Sequence, residues 1–113
     1  MFTLYGIPNC DTVKKARTWL DKHDVAYQFH DYKKAGIDAA ALKRWCKELG
    51  QEQVLNQRGT TWRKLEESER SNLNEAKAIK LMQTHPSVIK RPLLDTGKRL
   101  LLGFDEESYQ SLL

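Results

Sequence analysis

The first thirty-one residues constrain the fold more than any other part of the chain. Phe2-Thr-Leu-Tyr5 is a short β-prone run stopped by Gly6, Ile7, Pro8 and Asn9, residue types that end a strand and suit a turn or a helix cap. From Thr12 to about Lys22 the pattern predicts a helix, with Val13, Ala16 and Leu20 on one face. Ala26-Tyr-Gln-Phe-His-Asp31 then alternates as a second strand does. Strand, helix and strand in this order read as a right-handed βαβ unit with parallel strands.

The middle of the chain reads as helical. Asp38 is placed to cap a helix in which Leu42, Trp45, Cys46 and Leu49 share a face and which Gly50 ends. Gln57-Arg-Gly-Thr-Thr61 reads as a loop, and Glu66 to Asn72 is too polar for a core. A further helix carries Leu73, Ala76, Ile79 and Met82 before His85-Pro86 closes it. After Pro86 the pattern turns extended: Val88-Ile89 with Pro92-Leu-Leu-Asp95, then Arg99-Leu-Leu-Leu102, predict two strands joined by a tight Asp-Thr-Gly turn. Asp105-Glu106-Glu107 supplies acid to the first turn of a last helix, with Tyr109, Leu112 and Leu113 at i, i+3 and i+4. The order is βαβ, a helical insert, then ββα, an α/β class.

Charge narrows the function. The nineteen basic and fifteen acidic side chains leave +4, with both signs interleaved along the whole chain. A nucleic-acid binder concentrates its basic residues on one face or arm, so this distribution argues against nucleic acid and fits anionic small molecules better. The N-terminus lacks the basic and apolar regions of a signal peptide, and no apolar run approaches the ~20 residues that span a bilayer. Neither a membrane partner nor export is expected. Two cysteines without an export signal point to the reducing cytoplasm, where a cysteine more often works than staples.

Cys10 is the candidate for that work. It follows a strand and a tight turn and precedes a helix, where free backbone N–H groups and the positive end of the helix dipole favour thiolate over thiol. An unperturbed thiol with pKa ~8.5 is only ~3% ionised at pH 7. About 1 kcal/mol from the dipole raises this to roughly 15%, and half ionisation needs about 2 kcal/mol. Hydrogen bonds or a nearby cation must therefore add to the dipole. Lys14 and Arg17, one and two turns along, are the local candidates, and Asp11 opposes them. The competing reading, an inert buried thiol, is outweighed by the setting Gly6-Ile-Pro-Asn-Cys10 after a first strand.

The segment Tyr5-Gly-Ile-Pro-Asn-Cys10-Asp-Thr-Val-Lys-Lys-Ala16 resembles the active-site segment of the ArsC/Spx-like, arsenate reductase-like proteins, most of all their YffB branch. Leu55-Asn-Gln-Arg58-Gly-Thr-Thr-Trp62 and His85-Pro-Ser-Val-Ile-Lys-Arg91-Pro92-Leu-Leu94 agree with the same family, in the right order. The resemblance implies one thioredoxin-like domain over residues 1–113, with βαβ over about 1–32, a helical insertion over about 36–86 and ββα over about 87–113. It further implies that Cys10 is the nucleophile and that Asn9, Arg58, Arg91 and Pro92 bind substrate or glutathione, with a cis bond before Pro92.

The activity that follows is that of a glutathione-dependent thiol oxidoreductase with one nucleophilic cysteine. Glutathione would be its co-substrate, glutaredoxin or an oxidised thiol its partner, and no tightly bound cofactor is expected. Two departures weigh on the alternatives. Arsenate reductases of the family carry a third arginine in the last strand, where this chain has Leu102. Spx-type regulators, which bind RNA polymerase, often carry Cys-x-x-Cys, where this chain has Cys10-Asp-Thr-Val13. An external thiol must then break any mixed disulfide. Cys46 fits the apolar stripe of its helix and reads as core rather than as a resolving thiol. His23, His30 and His85 show no metal-ligand spacing, so no metal is assigned. Trp62 reads as partly buried packing.

Overall fold

The structure, a computed structural model, describes residues 2–113. The chain divides into two compact units, one built from residues up to Ala35 together with Arg91–Leu113, the other from Gly36–Lys90.

The first unit is a mixed sheet with helices. Strand β1 (Phe2–Gly6) leads into α1 (Asp11–Lys22), then β2 (Tyr27–Asp31) and a single turn of helix α2 (Tyr32–Ala35). After the other unit the chain returns as β3 (Leu93–Asp95), β4 (Leu100–Leu102) and α8 (Glu106–Gln110). The sheet order is β2-β1-β3-β4. β1 runs parallel to β2, with Leu4 opposite Phe29, and antiparallel to β3, with Leu4 opposite Leu94. β3 and β4 form the expected hairpin, closed by Asp95 Oδ1 accepting from Gly97 N and by Gly97 at φ 90°. This is the thioredoxin-like arrangement, α/β in class.

Alternation decides which sheet face is the core. Leu4 and Leu94 lie on one face and pack with Ala16, Trp19 and Leu20 of α1 and Tyr109 of α8. Trp19 meets the Tyr109 ring edge-on at 5.4 Å, and Phe104 does so at 4.8 Å. The α1 stripe therefore includes Trp19 besides Val13, Ala16 and Leu20. α1 stops where Asp24 takes a left-handed φ of 53°. Val25 N then reaches Leu20 O and Asp24 N reaches Asp21 O, the double bond of a Schellman ending, with Val25 packed against the cluster that holds Leu20.

The second unit is helical: α3 (Ala39–Leu49), α4 (Gln51–Val54), α5 (Thr60–Lys64), α6 (Glu67–Arg70) and α7 (Glu75–Thr84), followed by a 3₁₀ turn over Pro86–Val88. Asp38 caps α3 by accepting from Ala41 N at 2.7 Å, and Asn74 caps α7 by accepting from Lys77 N at 2.8 Å. α3 buries Leu42, Trp45 and Cys46 and packs on α7.

Four expectations need correction. Residues 57–61 are only partly loop, because Thr60 and Thr61 already begin α5. The polar run over 66–72 stays out of the core, as expected, and Glu67–Arg70 within it forms α6, held by a capping box between Glu66 and Glu69. α7 buries Ala78, Leu81 and Met82, not Leu73, Ala76 and Ile79, because the helix begins only at Glu75 and presents a face rotated from the expected one. Val88 lies in the 3₁₀ turn and Ile89 makes only an isolated bridge to Leu55, so neither belongs to a sheet strand. α8 ends at Gln110, which leaves Leu113 64% exposed while Tyr109 is fully buried.

Candidate active site around Cys10

β1 delivers the chain to a turn in which Ile7 is buried while Pro8 and Asn9 are exposed. The buried Ile7 pins the turn to the core, and the next residues are lifted to the surface. Gly6 has a steric reason to be glycine: a Cβ there would stand 2.8 Å from Cγ2 of Val13, so β1 and α1 approach as closely as they do only without a side chain.

Cys10 is the N-cap of α1, with extended backbone (φ −111°, ψ 126°), and its carbonyl accepts the first helical bond from Lys14 N at 2.9 Å. Cys10 is partly exposed, and both Cys10 and Cys46 are free thiols. Burial pushes the Cys10 thiol up. The N–H of Val13, the Arg91 side chain and the N–H of Thr12 outweigh it, and the thiol lies below its ordinary value. Cys10 closes no conventional side-chain cap bond, so the two N–H groups act on the sulfur as oriented dipoles at the helix start. Arg91 contributes both a hydrogen bond and its charge.

The cation that matters is thus not a neighbour in sequence. Arg17 is turned to β2, its Nε donating to the Tyr27 hydroxyl at 3.3 Å and its guanidinium lying 4.3 Å from the Phe29 ring centre. Lys14 and Asp11 are exposed on α1 and are not among the groups that move the sulfur. The expectation that Lys14 and Arg17 assist and Asp11 opposes is replaced by Arg91.

Arg91 precedes the cis bond to Pro92 at the start of β3, and Pro92 is buried, its carbonyl accepting from Gly103 N at 2.8 Å. Cys10, Arg91 and Pro92 all belong to the first unit, as does Asn9 in the turn. Arg58 belongs to the other unit. There its N–H donates to Asn56 Oδ1 at 3.2 Å, its carbonyl accepts from Arg63, and it lines a cleft of mixed polarity with Glu52, Leu55, Asn56, Gln57 and Lys90. Cys46 is 7% exposed, and burial, with Glu75 and Glu52, pushes its thiol above the ordinary value, as suits a packed side chain. Among the described residues no group of three or more His, Cys, Asp or Glu is placed to hold a metal ion. Nor is any helix long and apolar enough to cross a membrane.

One residue went unread in the sequence. Tyr32, fully buried just beyond β2, shares a hydrogen bond with the Arg91 side chain. The available signal was positional: functional groups collect beyond the carboxyl ends of parallel strands, and Tyr32 is the first residue after one.

Comparison with known proteins places the chain by family and fold. The model of the ArsC family matches residues 5–112. A solved structure of a YffB protein is 58% identical, with TM-score 0.95 over 98% of this chain and 97% of that one. An arsenate reductase (ArsC) related protein from Brucella melitensis is 51% identical, with TM-score 0.76 over 97% of this chain and 92% of that one. The global transcriptional regulator Spx of Streptococcus mutans is 30% identical across all of this chain and 83% of its own.

Proposed function

The chain belongs to the ArsC family, and on that footing we propose that it is a thiol oxidoreductase acting through a mixed disulfide on Cys10, with glutathione as co-substrate. The observation that carries this reading is the lowered thiol of Cys10 at a helix start beside the Arg91 guanidinium. The Cys10 thiolate attacks one sulfur of a disulfide, forming a new S–S bond as the old one breaks, and the departing thiolate takes a proton from water. A second thiol, from glutathione or glutaredoxin, then attacks the sulfur bound to Cys10 and releases the Cys10 thiolate. The net result is thiol–disulfide exchange: the second thiol ends joined to one half of the substrate disulfide, the other half leaves as a thiol, and a further thiol completes its two-electron reduction by breaking the new disulfide, with no metal or other cofactor entering. In this reading Arg91 and Arg58 hold carboxylates of glutathione, while Asn9 and Pro92 border the reacting sulfur. Free Cys10 and Cys46 fit a reducing, cytoplasmic setting.

Mass spectrometry of the protein incubated with oxidised glutathione tests the proposal. One glutathione on Cys10 and none on Cys46 is the expected result, lost in Cys10→Ser. Absence of any adduct, or an adduct on Cys46 alone, refutes it.

Two rival readings draw on the relatives. Arsenate reduction is favoured by the arsenate reductase-related neighbour and opposed by Leu102, which sits opposite Leu93 in β4 where the family's arsenate reductases place an arginine. Arsenate-dependent turnover with glutathione and glutaredoxin above the buffer rate would establish it. A regulator that binds RNA polymerase is favoured by the Spx relative and opposed by Val13 in place of a second cysteine. Capture of the polymerase α-subunit in one redox state and not the other would establish that one.

A further inference from the structure

Three strand ends meet at one edge of the sheet. β1 and β2 are parallel, so their carboxyl ends lie level, Gly6 beside Asp31. β3 is antiparallel to β1, so its amino end lies there too, Leu93 beside Tyr5. The chain continues from these ends into the Cys10 turn, into Tyr32, and back to Arg91. The Arg91 side chain hydrogen-bonds both the Cys10 sulfur and Tyr32.

A guanidinium only donates, so the phenol oxygen of Tyr32 is the acceptor of that bond. Its ring is 0% exposed, which anchors the oxygen in the packed interior at the end of β2. Burial pushes the Tyr32 phenol well above its ordinary value, against the pull of Arg91, so it stays neutral. Neutrality matters here. A carboxylate in the same place would cancel the charge Arg91 offers to the sulfur, whereas a neutral phenol restrains the guanidinium and leaves its charge intact. Arginine carries several rotatable bonds, and a guanidinium free to swing spends only part of its time at the thiol.

We propose that Tyr32 is a positioning residue of the thiol site, its hydroxyl holding the Arg91 guanidinium against Cys10 without neutralising it. The inference rests on the reading of Cys10 as the nucleophile and deepens it. Arg91 so held serves both halves of the exchange. It stabilises the Cys10 thiolate before attack, and it stabilises the same anion when the incoming thiol displaces it and the S–S electron pair returns to the Cys10 sulfur.

The test is the pH dependence of Cys10 alkylation by iodoacetamide in the full chain, read by peptide mass mapping so that Cys46 does not contribute. In Tyr32→Phe the ring stays and the oxygen goes. The profile moves to higher pH, and the rate at pH 7 falls about threefold, as half a pKa unit requires where thiolate is the minor form. Arg91→Gln shifts the profile further, and the double variant matches Arg91→Gln, because Tyr32 acts only through Arg91. A Tyr32→Phe profile superimposed on wild type overturns the proposal. So does an equal shift in the Arg91→Gln background. Should Tyr32→Phe fail to fold, nitrogen NMR of Arg91 in the wild-type chain decides: hindered rotation of the guanidinium supports the proposal and free rotation overturns it. Failure to form a glutathione adduct would count against the oxidoreductase reading and leave these profiles unchanged, so the two can fail separately.

Discussion

Two opposing effects meet at the Cys10 sulfur. Partial burial favours the neutral thiol, while main-chain N–H dipoles and the Arg91 guanidinium favour the anion and prevail. The sign has a consequence for stability. A thiol whose value is lowered on folding adds stability that is complete above the ordinary thiol value near ~8.5 and is lost as pH falls through the lowered folded value. The stability difference between wild type and Cys10→Ser, measured by urea unfolding, therefore grows as pH rises from about 6 to about 9. A difference that stays flat or shrinks over that range would show that the sulfur is not stabilised as an anion. Arg91→Gln removes a charged donor, and the Cys10 alkylation rate at pH 7 falls further than in Tyr32→Phe, by roughly tenfold, about 1.4 kcal/mol. Sequence spacing pointed to Lys14 and Arg17 because a helix places them near its own N-cap. The distant Arg91 wins because β3 lies beside β1, a contact that no local pattern encodes.

At the scale of elements, the site depends on how tightly α1 closes on the end of β1. The added methyl of Gly6→Ala would stand 2.8 Å from Val13, which is fully buried and has no room to retreat. We expect a loss of about 1–3 kcal/mol from overpacking. In a double-mutant cycle Gly6→Ala with Val13→Ala costs less than the sum of the single changes, because removing the valine methyls relieves the clash. Strict additivity by thermal unfolding would mean that the two residues do not press on each other. In the other unit, Asp38→Ala leaves Ala41 N without its cap and costs about 1 kcal/mol, whereas Asp38→Ser keeps most of the stability. Caps and turns of this kind were legible in the chain, since Asp38, Gly50 and the Asp95-Thr96-Gly97 turn act within a few residues of themselves. The face of α7 was not: its hydrophobic residues allow two neighbouring stripes, and packing against α3 selects Ala78, Leu81 and Met82.

For the molecule as a whole, the two thiols have different access to reagents. Cys10 is partly exposed and lowered, Cys46 buried and raised, so native protein treated with limiting iodoacetamide is labelled on Cys10. Cys46 reacts only through opening of its unit, slower by roughly a thousandfold or more, and moderate urea accelerates it steeply. Labelling of both at similar rates in the native state would contradict the packing described for α3. By itself the sequence determined the α/β class, the parallel β1-α1-β2 start, the β3-β4 hairpin and the place of Cys10 at a helix start, because each is written in hydrophobic period, turn residues or capping within a short stretch. The family likeness carried by three separated motifs added Arg91 and the cis bond before Pro92. Only the tertiary structure decided that Tyr32 meets the Arg91 side chain and that Arg17 is drawn to Tyr27 and Phe29 instead of to the sulfur. Those choices depend on strand ends brought level by sheet register, and register joins residues far apart in the chain.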